Sequence, residues 1–177
     1  MSIRRILVVV LATCFALALT AWAAPTTSVY SSLSGCKLVK TGRDWSVSAC
    51  RGVGGYNLQL EYDDSRESIT VYSPDRQQHP LNLWQVISGG FSSVGQKAEW
   101  RVTTKSGKQV PHALIVRFNA SENPEDSSKV TSYLVVAKIT PEKICVTDKI
   151  APSATANEEA RRAADASADK PCLEGPE

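Results

Sequence analysis

The sequence predicts an α+β fold that is mainly β: a single antiparallel sheet, or a small sandwich or barrel, with a C-terminal α-helix tethered by a disulfide. Three observations predict it. Runs of period-two alternation recur between Tyr56 and Ile139 and are separated by short polar turns. Four cysteines remain once an apolar leader is set aside, and they fall into an N-terminal and a C-terminal pair. An alanine-rich run after Ala154 begins with helix-start chemistry and is stopped by Pro171.

The leader sets the compartment. Arg4 and Arg5 precede an almost wholly apolar stretch from Ile6 to Ala21, and Ala21-Trp22-Ala23 supplies the small-x-small pattern of a signal-peptidase site. Residues 1–23 are therefore expected to be a cleaved signal peptide, with the chain acting in the periplasm or outside the cell. A retained anchor fits the length of the run, but no basic residues follow it. Leu11-Ala12-Thr13-Cys14 departs from a lipobox at Thr13, and Ile3 stands where a twin-arginine signal carries a polar residue. Beyond the signal we expect an irregular lead-in over 24–35, one stapled β-rich domain over 36–172, and a tail over 173–177.

Charge and composition exclude several classes. The 20 basic residues include Arg4 and Arg5, and the leader holds none of the 18 acids, so the exported chain nets zero. It carries no basic stripe for nucleic acid, and no later segment is apolar enough to span a membrane. Cys14 leaves with the leader. In an oxidising compartment Cys36, Cys50, Cys145 and Cys172 then read as two disulfides, for which the spacing favours Cys36–Cys50 and Cys145–Cys172. Each closes a short loop worth on the order of 3 kcal/mol in the chain-entropy model.

The elements run in order along the chain. Pro25 to Ser34, rich in Ser and Thr, is an irregular lead-in or a weak edge strand. Trp45 to Cys50 alternates weakly, and Arg51 to Gly55 bends the chain. Tyr56, Leu58, Leu60 and Tyr62 alternate with polar residues. Asp63-Asp64-Ser65-Arg66 turns, and Ile69 and Val71 continue the alternation, which gives a hairpin. Pro74 to Pro80 is a loop. Leu81, Trp84, Ile87 and Phe91 suit one helix face until Gly89-Gly90 interrupts it, so a short helix and a loop are expected over 81–94. Ala98-Trp100-Val102 and His112-Leu114-Val116-Phe118 form a second hairpin about Lys105 to Lys108. Val130 to Ile139 is apolar nearly throughout, as in a strand covered on both faces. Pro141 breaks it, and Ile144 to Val146 is a last short strand. Thr155 and Glu158 fit a capping box, and Ala156, Ala160, Ala163 and Ala164 fall on one side of the closing helix.

Candidate chemistry is sparse. Gly90-Phe91-Ser92-Ser93-Val94-Gly95 places its second glycine one residue too late for a nucleophile elbow. His112 shares the alternating face of Leu114 and Val116 and reads as a buried, hydrogen-bonded histidine, whereas His79 sits in a polar loop. The two lack metal-ligand spacing, and no motif requires a metal or cofactor. Asp63 and Asp64 belong to a turn, and Glu122, Glu125 and Asp126 to a solvated loop without the EF-hand glycine. Gly52 to Gly55 precedes a strand, where a phosphate loop opens a helix. One cluster stands apart: if the second hairpin forms, Glu99, Arg101 and Arg117 share the face opposite the apolar one. They would form a cationic patch with its own acid, suited to a carboxylate or phosphate.

The sequence therefore predicts an exported, non-catalytic binding, inhibitor or envelope-interaction module whose partner is a protein or an envelope component. The alternative is a small secreted hydrolase using His112 or His79 as base. N-terminal sequencing of the exported protein should begin at Ala24; a chain that starts at Met1 or Cys14 would overturn the leader reading.

Overall fold

Two five-stranded antiparallel sheets account for every strand among the described residues. The structure is a computed structural model and describes residues 25–123 and 125–175. The expected signal peptide lies outside the described residues. One sheet runs in the order β1 (Thr27–Ser32), β7 (Ser92–Lys105), β8 (Lys108–Ser121), β9 (Val130–Ile139), β10 (Ile144–Ile150). The other runs β2 (Lys37–Thr41), β3 (Trp45–Arg51), β4 (Asn57–Asp63), β5 (Arg66–Tyr72), β6 (Gln78–Pro80). Helix α1 (Leu83–Val86) lies in the connection between the two blocks, and α2 (Ala156–Asp165) follows β10.

The single-sheet form of the prediction is thus corrected to two sheets. The reason is the buried face of the first hairpin. Leu58, Ile69 and Val71 are almost fully excluded from water, and the inner face of the β1–β7–β8–β9–β10 sheet is the main cover over them, joined by Leu81, Leu83 and Ile87 of the α1 connection. That face presents Trp100, Val102, Leu114, Val116, Phe118, Val135 and Ala137. The lead-in segment contains β1, an edge strand that pairs with β7 across a long sequence interval rather than with its neighbour. The loop before Leu81 contains the short β6, and the helix expected within 81–94 is limited to Leu83–Val86. Its first free N–H, that of Leu83, is taken by the buried Ser68 hydroxyl at 3.0 Å.

The β1–β7–β8–β9–β10 sheet is apolar on both faces. Leu114, Val116, Phe118, Val135 and Ala137 enter the inter-sheet core, while Ala113, Ile115, Leu134 and Val136 point the other way and meet α2. This explains the nearly continuous apolar run of β9. Ala156, Ala160 and Ala164 are the buried stripe of α2 and let the helix lie close. We therefore call this sheet the helix-bearing sheet and the other the bare sheet. The expected capping box does not form: Thr155 makes no side-chain cap bond, and Ser153 instead accepts the Thr155 N–H at 3.3 Å.

Turn chemistry sets the hairpins. Asp64 and Ser65, and likewise Ser106 and Gly107, adopt left-handed φ angles in two-residue turns that match the strand twist. Both expected disulfides are present, Cys36–Cys50 and Cys145–Cys172, with Cα separations of 4.7 and 5.7 Å. The second ties β10 to the tail beyond α2 rather than to the helix itself. Lys138 holds that tail as well, donating to the carbonyls of Ala168 and Lys170, and Leu173 N–H donates to Val146 O.

Because Ala164 is fully buried beneath α2, Ala164→Leu should overpack the helix seat and cost about 1–3 kcal/mol. Leu at the exposed Ala151 should cost far less; urea unfolding of both variants is the check.

Candidate functional site

The outer face of the helix-bearing sheet carries a connected set of charges. β7 sends Glu99 and Arg101 to this face, and α2 brings Arg161 and Asp165 onto them. Arg101 donates through Nε and Nη2 to the two oxygens of Asp165, at 2.8 and 2.7 Å, and through Nη1 to Ser28 Oγ. Ser28 in turn donates to Glu99. Arg161 donates through Nε to Glu99 Oε1 at 2.7 Å and through Nη2 to the Tyr30 hydroxyl at 3.0 Å. The result is one chain of charge-assisted bonds from Tyr30 to Asp165.

Burial alone would raise the pKa of Glu99, but hydrogen bonds from Arg161 and Ser28 outweigh it and hold the group below its ordinary value. Asp165 follows the same pattern: burial pushes it up, and the bonds from Arg101 and His112 bring it down. The Asp165 bond raises Arg101, and the Glu99 bond raises Arg161. All four groups are thus more firmly charged in the fold than out of it.

Of the three residues expected to share a cationic patch, the fold brings all to this side of the sheet but uses them differently. Arg101 and Glu99 are neutralised by α2. Arg117, on β8, makes only a bond to the Ser132 hydroxyl, at 2.8 Å. Among the described residues neither Arg117 nor Lys97 forms an ion pair. Both line a groove of about 590 Å³ between α2 and the sheet, with Ile115, Leu134 and Ala160 as apolar lining and Tyr30, Asn157 and Arg161 among its polar residues.

A β-bulge builds this groove. The pairing of β7 with β8 runs through Val94↔Phe118 and resumes at Ala98↔Val116, so residues 95–97 face the single residue Arg117. The extra backbone swells outward and re-aims its side chains. Gly95 is required there, because a Cβ would come within 2.7 Å of the Arg117 Cβ. The sequence does not single out Lys97, Arg161 or Tyr30. Lys97 lies in the bulge, where alternation fails. Arg161 is legible only as one charge on a helix surface.

The expectation that His112 is buried with Leu114 is also corrected by a bulge. Register shifts between Arg101 and Val102, whose partners are Ala113 and Pro111, and leave His112 unpaired. The ring therefore stands half-buried on the α2 side, with Nε2 3.3 Å from Asp165 Oδ1 and Nδ1 buried without a partner. Neither nitrogen is placed to take a proton from a bound molecule. His79 Nε2 lies 3.3 Å from Ser73 Oγ beside a cavity of about 280 Å³, but that hydroxyl is 2.5 Å from Asp75 and closes the loop before β6. The Ser73 bond is the main cause that lowers the Asp75 pKa.

Two acids of the loop between β8 and β9 are occupied locally. Glu122 accepts from Tyr133 and Lys149, and Asp126 accepts from Ser128. Among the described residues no group of three or more metal-ligating side chains gathers, and no helix is long and apolar enough to cross a membrane. No family model, curated protein or solved structure matches the chain.

Asp165 and Glu99 titrate below their unfolded values. Their clasp thus stabilises the fold fully above about pH 4–5, and that contribution is lost as pH falls through the folded values. Asp165→Asn should lower stability at pH 7 by about 1–3 kcal/mol, since Arg101 is buried while its partner is partly exposed. It should also flatten the decline between about pH 5 and pH 2. Urea unfolding across that range tests this; equal stability of variant and parent at pH 7 would refute the clasp.

Proposed function

We propose that the protein is an exported, non-catalytic binding module that takes an anionic group, a carboxylate or phosphate, in the groove between α2 and the helix-bearing sheet. The observation that carries this reading is Arg117: a guanidinium with no acidic partner among the described residues, in a groove with apolar lining, beside Lys97, which is likewise unpaired among them. A planar guanidinium offers paired donors to either anion. The neighbouring arginines are saturated by acids of the fold, so an incoming anion meets one open cation cluster and not a general positive field.

Export is supported by the sequence of residues 1–23 and is compatible with two disulfides, which persist in an oxidising compartment such as the periplasm or the medium. The partner class implied is a protein or envelope component that displays an acid.

A second reading draws on Ser73 and His79. A serine near a histidine beside a cavity is the minimum of a hydrolase site. The hydrogen-bond order argues against it. Ser73 donates to Asp75, whose lowered pKa makes it a weak base, and no acid orients His79 from its other nitrogen.

Titration with inorganic phosphate, and separately with acetate, should move the Arg117 Nε–H resonance saturably in nuclear magnetic resonance spectra and leave that of Arg101 in place. Read at the backbone amides that line the groove, Arg117→Ala should abolish the saturable shift and Lys97→Ala should weaken it, on the order of tenfold in affinity for one charge-assisted bond. Shifts centred on Arg101, or none at Arg117, would refute the site. Ester turnover lost in both Ser73→Ala and His79→Ala would install the hydrolase reading instead.

A further inference from the structure

An open sheet edge invites pairing with another chain, and folds defend such edges with charge, proline, bulges or a covering segment. Three of the four edges here are defended. β10 is met by the tail, where Leu173 N–H bonds Val146 O next to the Cys145–Cys172 bridge. β6 is three residues long and ends in Pro80. β2 carries Lys37 and Lys40 and is bulged at Val39, between the register positions of Leu38 and Lys40.

β1 has none of these devices. Its six residues, Thr-Ser-Val-Tyr-Ser-Ser, contain no charge and no proline, and they pair with β7 in unbroken register from Thr27↔Val102 to Ser32↔Lys97. Among the described residues no strand pairs with its other side. Parity shows which groups are open. Leu33 N–H donates to Gln96 O, in continuation of that register, so the odd-numbered residues of β1 bond to β7. In an antiparallel ladder the alternate residues face away, so Ser28, Tyr30 and Ser32 turn their N–H and C=O groups to the open side.

This edge borders the cationic groove. Tyr30, Gln96 and Lys97 line both the groove and a hollow of about 230 Å³ along β1, which Ser31, Ser32 and Ser34 complete. Lys97 stands one strand in from the edge, so it would lie about 10 Å from an added strand. A lysine and a glutamate side chain together span that gap.

We infer that β1 is the docking edge for an extended segment of a partner polypeptide, which adds to the helix-bearing sheet as a sixth strand and carries an acidic side chain to Lys97. Main-chain bonds to Ser28, Tyr30 and Ser32 supply affinity, and the acid supplies selectivity, as in other strand-addition complexes. The inference rests on the binding reading and names its partner as a polypeptide.

The test uses the exported, oxidised protein and a phage library of random dodecapeptides as probe. Selected peptides should be rich in Asp and Glu and should slow hydrogen exchange at the amides of Ser28, Tyr30 and Ser32. Ser32→Pro removes one outward N–H at an edge position that tolerates proline, and should weaken binding about tenfold. Lys97→Ala should weaken it several-fold. No selected peptide, protection centred elsewhere, or binding indifferent to Ser32→Pro would overturn the inference. Exchange protection needs no variant, so it decides even if Ser32→Pro fails to fold. If phosphate still shifts Arg117 while peptides ignore β1, the edge inference falls and the groove reading stands. If peptides protect β1 while Arg117 stays silent to anions, the groove reading falls alone.

Discussion

The strands at the centre of the helix-bearing sheet are apolar on both faces, and most of the architecture answers that constraint. Leu114, Val116, Phe118, Val135 and Ala137 need one cover, and Ala113, Ile115, Leu134 and Val136 need another. Leaving either face in water would forfeit roughly 25 cal/mol for each Å² of apolar surface exposed. The bare sheet covers one side and α2 the other. The bare sheet itself needs only one cover, which is why the outer sides of β3 and β4 carry Arg51, Asn57, Gln59 and Glu61. The three layers thus result from where the doubly apolar strands lie.

The helix side carries a second requirement. Arg101 sits on a face that α2 must cover, and its side chain is 10% exposed. A buried guanidinium without a partner is strongly destabilising, so the covering helix has to bring an acid, and Asp165 is that acid. Glu99 is answered in the same way by Arg161. The groove's character emerges by subtraction. Once α2 has paired Glu99 and Arg101, Arg117 and Lys97 remain in the groove without an ion pair among the described residues, and they lie where the β7 bulge opens the sheet beside α2.

Local chemistry made much of the fold legible. Asp64-Ser65 and Ser106-Gly107 mark their turns, and the period-two runs mark the strands they join. The expectation of an oxidising compartment and the spacing of four cysteines led to both bridges. The features that stayed hidden have two physical causes. The single extra residue at His112 reverses the face of the residues beyond it, which is why a reading by parity misplaces it, whereas the wider bulge at 95–97 sets three residues against Arg117 and interrupts the alternation that would single out Lys97. Long-range pairing is the other cause: nothing in Thr27 to Ser32 indicates that the partner is β7 and not the adjacent β2. For the site, Glu99, Arg101 and Arg117 were legible as neighbours on one face. That α2 would occupy two of them was not, because the docking of a helix by an alanine stripe carries no sequence signal for its register.

That missing signal explains what the clasp does. Alanine side chains are short and alike, so Ala156, Ala160 and Ala164 would pack against Ile115 and Leu134 almost as well after a slip of one helical turn, about 5.4 Å. Packing alone leaves the seat of α2 degenerate. Polar pairs remove the degeneracy. Arg161 and Asp165 are four residues apart, one turn along the same face, and each meets its own mate on β7, Glu99 and Arg101, two residues apart. A one-turn slip would place Arg161 against Arg101, or Asp165 against Glu99. Either juxtaposes like charges and strands a buried Arg101. Buried ionic pairs often add little net stability over apolar substitutes, and here their contribution is positional: they select one docking register of the helix. That register fixes which α2 residues, Asn157, Ala160 and Arg161, wall the groove that Arg117 lines.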